Sequence, residues 1–270
     1  MVRIAVAQMT SVADKAANLA SCLALVAEAH AGGARMLFLP EAFDYIAPSA
    51  ASAREWAEPL DGDFLGRLAQ AARELDMWLS LGGFHERVAG EERIANTHVV
   101  LDNGGERRAA YRKAHLFDFE QLRESDSTLP GDRVCMVETP AGVVGLATCY
   151  DVRFPLFARA LRRRGATLLT YPSAFTKATG EAHWEVLMRA RAIETQSFVV
   201  AAAQTGRHDE KRESFGDAMV VDPWGVVLAR LAPGVLGVAF ADLDLDRVAA
   251  VRTRMPLGEH ERPELYADAA

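Results

Sequence analysis

The chain has 270 residues, half of them apolar and a quarter charged, with a formal net charge of −7. That length and balance suit one large α/β domain over 1–270. The acidic charge argues against a nucleic-acid partner, and no apolar run approaches the ~18 residues of a membrane helix. Cys22, Cys135 and Cys149 lie far apart with no CxxC, and seven histidines show no ligand spacing. No disulfide framework, metal or cofactor is therefore expected. The start, MVRIAVAQMT, lacks the long apolar core of a signal peptide, so the expected location is cytoplasmic.

VRIAVAQM (2–9) has the length and apolarity of a buried strand. A helix is expected from Asp14 to about His30, with Leu19, Leu23, Val26 and Ala27 at helical spacing and Gly32-Gly33 as its stop. MLFLP (36–40) reads as a second strand, Phe64 to Leu75 as a helix, and Trp78 to Gly82 as a strand. Ile94–Leu101 and Arg108–Arg112 flank Asn103-Gly104, a hairpin signal. A long irregular loop, 114–132, follows, and loops of that length are often functional.

Val143 to Thr148 is the next strand, and Pro155 to Arg164 a helix with proline in its first turn and Gly165 at its end. Thr167 to Tyr171 is a strand, and Glu181 to Gln196 a helix with Val186, Leu187, Ala190 and Ile193 as its expected inner stripe. Ser197 to Ala203, a hairpin of 218–221 with 226–229, a strand over 237–242 and a short helix near 244–252 complete the pattern. The polar tail, MPLGEHERPELY, is expected to leave the core and lie against a neighbour. Helices interleaved with both crossover strands and hairpins imply mixed sheets, two of them, with helices outside.

Three residues stand out at strand ends, where α/β folds cluster their sites. Cys149, in GLATCYDVRFP, ends a strand just before a helix start. A lone cysteine is usually a buried structural thiol, as Cys22 and Cys135 read here. A strand-to-helix turn instead presents a side chain as a nucleophile, with the Tyr150 N–H set to bind an oxyanion and the helix N-terminus favouring thiolate. Glu41, in FLPEAF, follows a buried strand, and enclosure there is expected to raise its pKa toward that of a general base. Lys113, in AYRKAHLFD, would otherwise be a solvated charge, but beside a thiol its ammonium stabilises thiolate and oxyanion.

FLPEAF (38–43), YRKAHLFD (111–118) and ATCYDVRFP (147–155) resemble, in order and spacing, the three signature segments of the nitrilase, or carbon–nitrogen hydrolase, superfamily. The likeness runs from IAVAQM to RPELY. It implies a four-layer αββα sandwich that pairs into dimers or higher homo-oligomers. It also implies Glu41 as general base, Cys149 as nucleophile, and Lys113 with the Tyr150 N–H as oxyanion holders. The family's second glutamate falls on Glu124 in RESDST, with Glu120 the weaker candidate.

The stretch 171–225, above all QTGRHDEKRESFG (204–216), resembles the branch that hydrolyses deaminated glutathione rather than 2-oxoglutaramate. Such an anionic keto-acid amide calls for cations beyond Lys113. Arg153, Arg207, His208, Lys211 and Arg212 are the candidates, although 207–212 reads equally as a solvated loop and Arg153 as the partner of a nearby acid. Phe117, Phe175, Thr176 and Trp184 are the candidate pocket walls, with core packing the default for the aromatics. A non-catalytic interaction protein would be expected to have lost one of the three reactive residues. A nucleotide-binding protein would carry a glycine-rich phosphate loop, and none follows the first strand.

Overall fold

The computed structural model describes residues 1–120 and 122–265. In chain order the first half contains β1 (Val2–Met9), α1 (Lys15–Ala31), β2 (Met36–Leu39), α2 (Ala50–Trp56), α3 (Asp63–Glu74), β3 (Trp78–Glu86), β4 (Ile94–Leu101) and β5 (Arg107–Arg112). The loop after β5 is not wholly irregular. It holds the short strands β6 (Asp118–Phe119), β7 (Leu122–Arg123) and β8 (Thr128–Leu129), with a 3-10 turn at Glu124–Asp126. Then come β9 (Cys135–Thr139), β10 (Gly142–Leu146), a 3-10 turn at Cys149–Arg153, α4 (Pro155–Arg163), β11 (Leu168–Thr170) and α5 (Lys177–Thr195). The chain continues through β12 (Phe198–Ala201), β13 (Ala203–Arg207), β14 (Glu213–Phe215), β15 (Met219–Val221), β16 (Val227–Arg230), β17 (Gly237–Leu243), α6 (Asp246–Arg254) and α7 (Leu257–His260).

Two mixed sheets result. The first runs β14-β13-β1-β2-β3-β4-β5, with β17 also on β1 and β8 on β4; the second runs β16-β15-β12-β11-β10-β9. Each has a parallel centre, β13-β1-β2-β3 and β10-β11-β12, with antiparallel strands beyond it. Alternation along the strands decides what each face meets. Ile4, Val6, Met36 and Phe38 join Val144, Leu146 and Val200 of the other sheet in one core. Ala5, Ala7, Leu37 and Leu39 pack on Cys22, Val26, Leu65 and Leu68 of α1 and α3 in a second. Trp184, Met188 and Ala192 of α5 and Ala158 and Leu161 of α4 belong to the first core, which gives the helix–sheet–sheet–helix layering.

The helix α5 corrects two expectations. It starts a turn earlier than Glu181, and its inward stripe is Trp184, Met188, Arg191, Ala192 and Thr195. Val186 and Ile193 instead point outward, 69% and 43% exposed. The helix carries apolar residues on two faces, and the larger Trp184 ring takes the core side, its indole N–H donating to the Asp217 carbonyl at 2.7 Å. The described part of the tail is tied to its own chain, because Glu261 pairs with Arg159 and Arg163 of α4.

At Gly82 the first sheet lies close against Pro172, at the end of a strand of the second. A Cβ there would stand 2.1 Å from the Pro172 Cβ and 2.9 Å from the Leu39 carbonyl oxygen. Gly82→Ala is therefore expected to lower stability by about 1–3 kcal/mol, the usual cost of overpacking. Urea unfolding followed by circular dichroism measures it, and an unchanged midpoint would show that the sheets slide apart freely at this point.

Candidate active site

Each reactive side chain sits just past the end of a strand. Glu41 lies on the turn after β2, Lys113 directly follows β5, and Cys149 opens the 3-10 turn three residues beyond the end of β10. All three are buried, at 6%, 2% and 8% exposure. Cys149 holds a left-handed backbone at φ 49°, as does Ala42 beside Glu41 at φ 57°. Non-glycine residues adopt this region at a cost of order 1–3 kcal/mol, and they cluster at functional turns. The strand into Cys149 stops at Leu146, earlier than the expected Thr148, because the chain must leave the sheet to make that turn.

The four charged or reactive groups form one cluster. The Lys113 ammonium donates to Glu41 Oε1 at 3.0 Å and to Glu124 Oε2 at 2.8 Å. The Cys149 thiol hydrogen-bonds to the Glu41 carboxylate. The second Glu41 oxygen accepts from the Ala174 N–H at 2.9 Å, and Glu124 Oε2 also accepts from the Phe117 N–H at 2.7 Å. Glu120 is exposed on the loop and takes no part. Asn96, unmarked in the sequence reading, closes the ring. Its side-chain N–H group donates to Glu41 Oε1 at 2.9 Å and to Glu124 Oε1 at 3.2 Å. The available signal was an asparagine inside a strand bounded by apolar residues, IANTHVVL, since a buried amide must find partners.

Two further buried groups hold the loops. Asp151, fully buried, accepts from the Thr148 N–H at 2.8 Å, the Tyr111 hydroxyl at 2.7 Å, and the His115 N–H and Nδ1 at 3.1 and 2.7 Å. It thus ties the Cys149 turn to the segment bearing Lys113. Gln204 of β13 donates to the Glu41 and Ala42 carbonyls at 3.0 and 3.3 Å and fixes the other turn. Gly83, at φ 70°, lets the chain pass Glu41; a Cβ there would stand 2.7 Å from Glu41 Cγ.

The electrostatics differ from the sequence expectation. Burial pushes the Glu41 carboxyl up, but the Lys113 ammonium and the hydrogen bonds from Cys149, Asn96 and Ala174 together hold it below the ordinary glutamate value. Burial and the Glu41 charge push the Cys149 thiol well up, with Lys113 opposing. Burial opposes the Lys113 charge, yet Glu124 and Glu41 raise its pKa well above that of free lysine. The resting site is therefore carboxylate, ammonium and neutral thiol, not the preformed thiolate that a helix start alone would favour.

The remaining candidates divide. Tyr150 follows Cys149, and its ring meets Phe117 edge-on at 5.1 Å. Among the described residues Arg153 pairs with no acid. Its guanidinium lies over the rings of Phe175 and Tyr150, at 5.3 and 5.9 Å, and meets His183 Nδ1 at 3.3 Å. Phe175 packs edge-on against Trp184 at 5.0 Å, and the Thr176 hydroxyl pairs with that of Thr179 at 2.8 Å at the start of α5. Arg207 stands exposed at the end of β13, with no ion pair among the described residues. His208 is buried between the Ser11 carbonyl and the Ser214 hydroxyl, Lys211 is exposed, and Arg212 pairs with Asp209 in its own loop. The segment 207–212 is thus not brought into contact with the cluster.

The charge pattern makes alkylation of Cys149 a direct probe. Glu41→Gln removes the anion that keeps the proton on sulfur while leaving Lys113, so the thiol pKa falls and alkylation by iodoacetamide at pH 8 is faster than in wild type. Lys113→Met has the opposite sign. Rates for the Cys149 peptide read by mass spectrometry decide this, and a slower rate in Glu41→Gln would reverse the assignment.

Residues 3–253 match the family model described as carbon-nitrogen hydrolase. The chain is 52% identical over 274 residues to the bovine deaminated glutathione amidase, covering 98% of this chain and 83% of that one. The crystal structure of the C. elegans NitFhit protein superposes with a TM-score of 0.92 at 43% identity, over 98% of this chain and 66% of that one. An amidase from Nesterenkonia, described with acrylamide added at its active-site cysteine, superposes with a TM-score of 0.78 at 28% identity, over 96% and 99% of the two chains. With a family model spanning nearly its whole length and this identity to a curated relative, the chain belongs to the carbon–nitrogen hydrolase family and is a carbon–nitrogen hydrolase.

Proposed function

We propose that the protein is a thiol amidase, one domain over 1–270, that hydrolyses deaminated glutathione to 2-oxoglutarate and cysteinylglycine. The cluster of Glu41, Lys113, Glu124 and Cys149 carries the reaction class; the identity to the bovine amidase supports the substrate. Glu41 takes the thiol proton as sulfur attacks the amide carbon. The Lys113 ammonium and the Tyr150 N–H stabilise the oxyanion, while Glu124 orients Lys113 and the amide. The C–N bond breaks as Glu41 passes its proton to the departing amine, leaving a thioester on Cys149. Water then gives a proton to Glu41 and its oxygen to the acyl carbon, and the returning proton restores the thiol. No metal or cofactor enters these steps.

Arg153 is the candidate for the keto-acid carboxylate, with Phe117, Phe175 and Thr176 as walls and Arg207 as a more distant cation. Arg153 is favoured by its place one turn from Cys149 and by the aromatic faces beneath it. The protein acts in the cytoplasm as a homodimer or higher oligomer. Among the described residues no helix is long and apolar enough to cross a membrane. Leu156, Val186 and Ile193 expose apolar surface on α4 and α5, which suits a second copy of this chain.

Release of 2-oxoglutarate from deaminated glutathione and from 2-oxoglutaramate tests the substrate. Deaminated glutathione is expected to have the higher kcat/KM, Cys149→Ala to be inactive, and Lys113→Met to lose about a hundred- to thousandfold, as for a lost oxyanion donor. A preference for 2-oxoglutaramate would replace the substrate and keep the cluster. The acid limb of kcat/KM should lie below 4.5, the ordinary glutamate value, because Glu41 must be ionised to accept the proton and its pKa is held down. A limb above that value would remove Glu41 as the base.

A further inference from the structure

The strand row that carries Lys113 holds a histidine, His85, that the mechanism leaves unused. In the β3–β4 pair His85 stands opposite Asn96, and in the β4–β5 pair Thr97 stands opposite Arg112. Opposed residues share a face, and successive residues alternate. Glu86, Thr97 and Arg112 therefore share one face, where Thr97 and Arg112 both hydrogen-bond to Glu86 at 2.6–2.9 Å. His85, Asn96 and Lys113 share the other, and Asn96 there touches both catalytic carboxylates.

The His85 ring is clamped. Its Nδ1 lies 2.8 Å from Asp44 Oδ1, its backbone N–H donates to Asp44 Oδ2 at 3.0 Å, and Tyr45 stacks on its face at 4.3 Å. Asp44, wholly buried, also accepts from the Tyr45 N–H at 3.0 Å, so its oxygens act as acceptors, Nδ1 is the donor to them and Nε2 faces away. Nε2 has no hydrogen bond among the described residues, and the side chain is 21% exposed. Burial opposes a charge on the ring, but Asp44, with Glu41 and Glu124 beyond it, outweighs burial and holds the pKa above the ordinary histidine value. A clamped ring whose Nε2 has no partner among the described residues, on the face of the reacting groups and partly exposed, is in its protonated form a donor for an anion.

Resting on the amidase reading above, we propose that His85 is a specificity-determining residue whose Nε2–H binds a carboxylate of the substrate. Deaminated glutathione has two, one on its 2-oxo acid and one on its glycine. The test compares His85→Asn, which keeps a donor for Asp44 but removes the charge and the outward N–H, with His85→Gln, whose amide N–H reaches toward the Nε2 position. Substrates are deaminated glutathione, the same compound with its glycine carboxylate amidated, and 2-oxoglutaramate. His85→Asn should raise KM for deaminated glutathione about ten- to hundredfold, the range for a lost hydrogen bond to a charged group, with kcat little changed and His85→Gln intermediate. If KM also rises for 2-oxoglutaramate, the keto-acid carboxylate is the ligand. If the rise is confined to the free glycine carboxylate, the peptide end is.

Unchanged KM for all three substrates, including a fall in kcat or stability alone, would confine His85 to holding Asp44 and overturn the proposal. Should the wild type cleave none of these amides, the substrate reading fails by itself. Calorimetric titration with 2-oxoglutarate and cysteinylglycine then decides: weaker binding of either to His85→Asn supports the carboxylate site, and equal binding of both overturns it.

Discussion

An ammonium ion buried between two carboxylates is the constraint on which the rest of the site depends. Lys113 is 2% exposed, and an isolated charge there would cost several kcal/mol. Glu41 and Glu124 offset that cost only if both stay ionised and in contact. Their remaining oxygens must then be satisfied, and the Asn96 amide and the N–H groups of Ala174 and Phe117 do so. Those donors come from β4, from the segment after β11 and from the loop after β5. One cation thus fixes the relative position of both sheets' strand ends. Breaking any contact leaves a buried charge short of a partner, which is more damaging than removing the pair together.

The backbone bears the matching cost. Ala42 and Cys149 adopt left-handed conformations on the two turns that carry the Glu41 carboxylate and the Cys149 thiol. Both are held by buried polar groups: Gln204, from β13, on the Glu41 and Ala42 carbonyls, and Asp151, from within the Cys149 turn, on the Thr148 N–H. Neither Gln204 nor Asp151 has an exposed atom to spare for solvent, since both are fully buried. Their conformational role follows from that burial, because a side chain with all its polar atoms engaged cannot relax without leaving one unpaired.

What the sequence made legible follows the same physics. Runs such as VRIAVAQM and the Asn103-Gly104 hairpin are local signals, and β1, β4 and β5 lie where they predict. Cys149 and Lys113 stand out because a reactive or charged side chain beside a buried strand is costly unless used. The inner face of α5 was illegible because the helix has two apolar stripes, and only the Asp217 carbonyl and the Phe175 ring select the Trp184 side. Asn96, Asp151 and His85 were missed for a different reason. Each looks ordinary along the chain and gains meaning only from a partner 28 to 55 residues away, as Asn96 does with Glu124 and Glu41. Strand register, not composition, supplies that information.

The low pKa of Glu41 and the high pKa of Cys149 at first oppose the proton transfer that catalysis needs. The opposition is a property of the resting site alone. In the proposed reaction, as sulfur gives its proton to Glu41, the negative charge moves from carboxylate to sulfur and then, as the C–S bond forms, to the carbonyl oxygen. The cluster's total charge does not change, and the anion stays beside Lys113 throughout. Glu41, Lys113 and Cys149 are buried, so each displacement of charge is felt at low dielectric and little solvent must reorganise. A preformed thiolate would place a second anion beside Glu41 before any substrate arrived, and Lys113 would have to stabilise both. Keeping the thiol neutral defers that charge until a carbonyl is present to receive it.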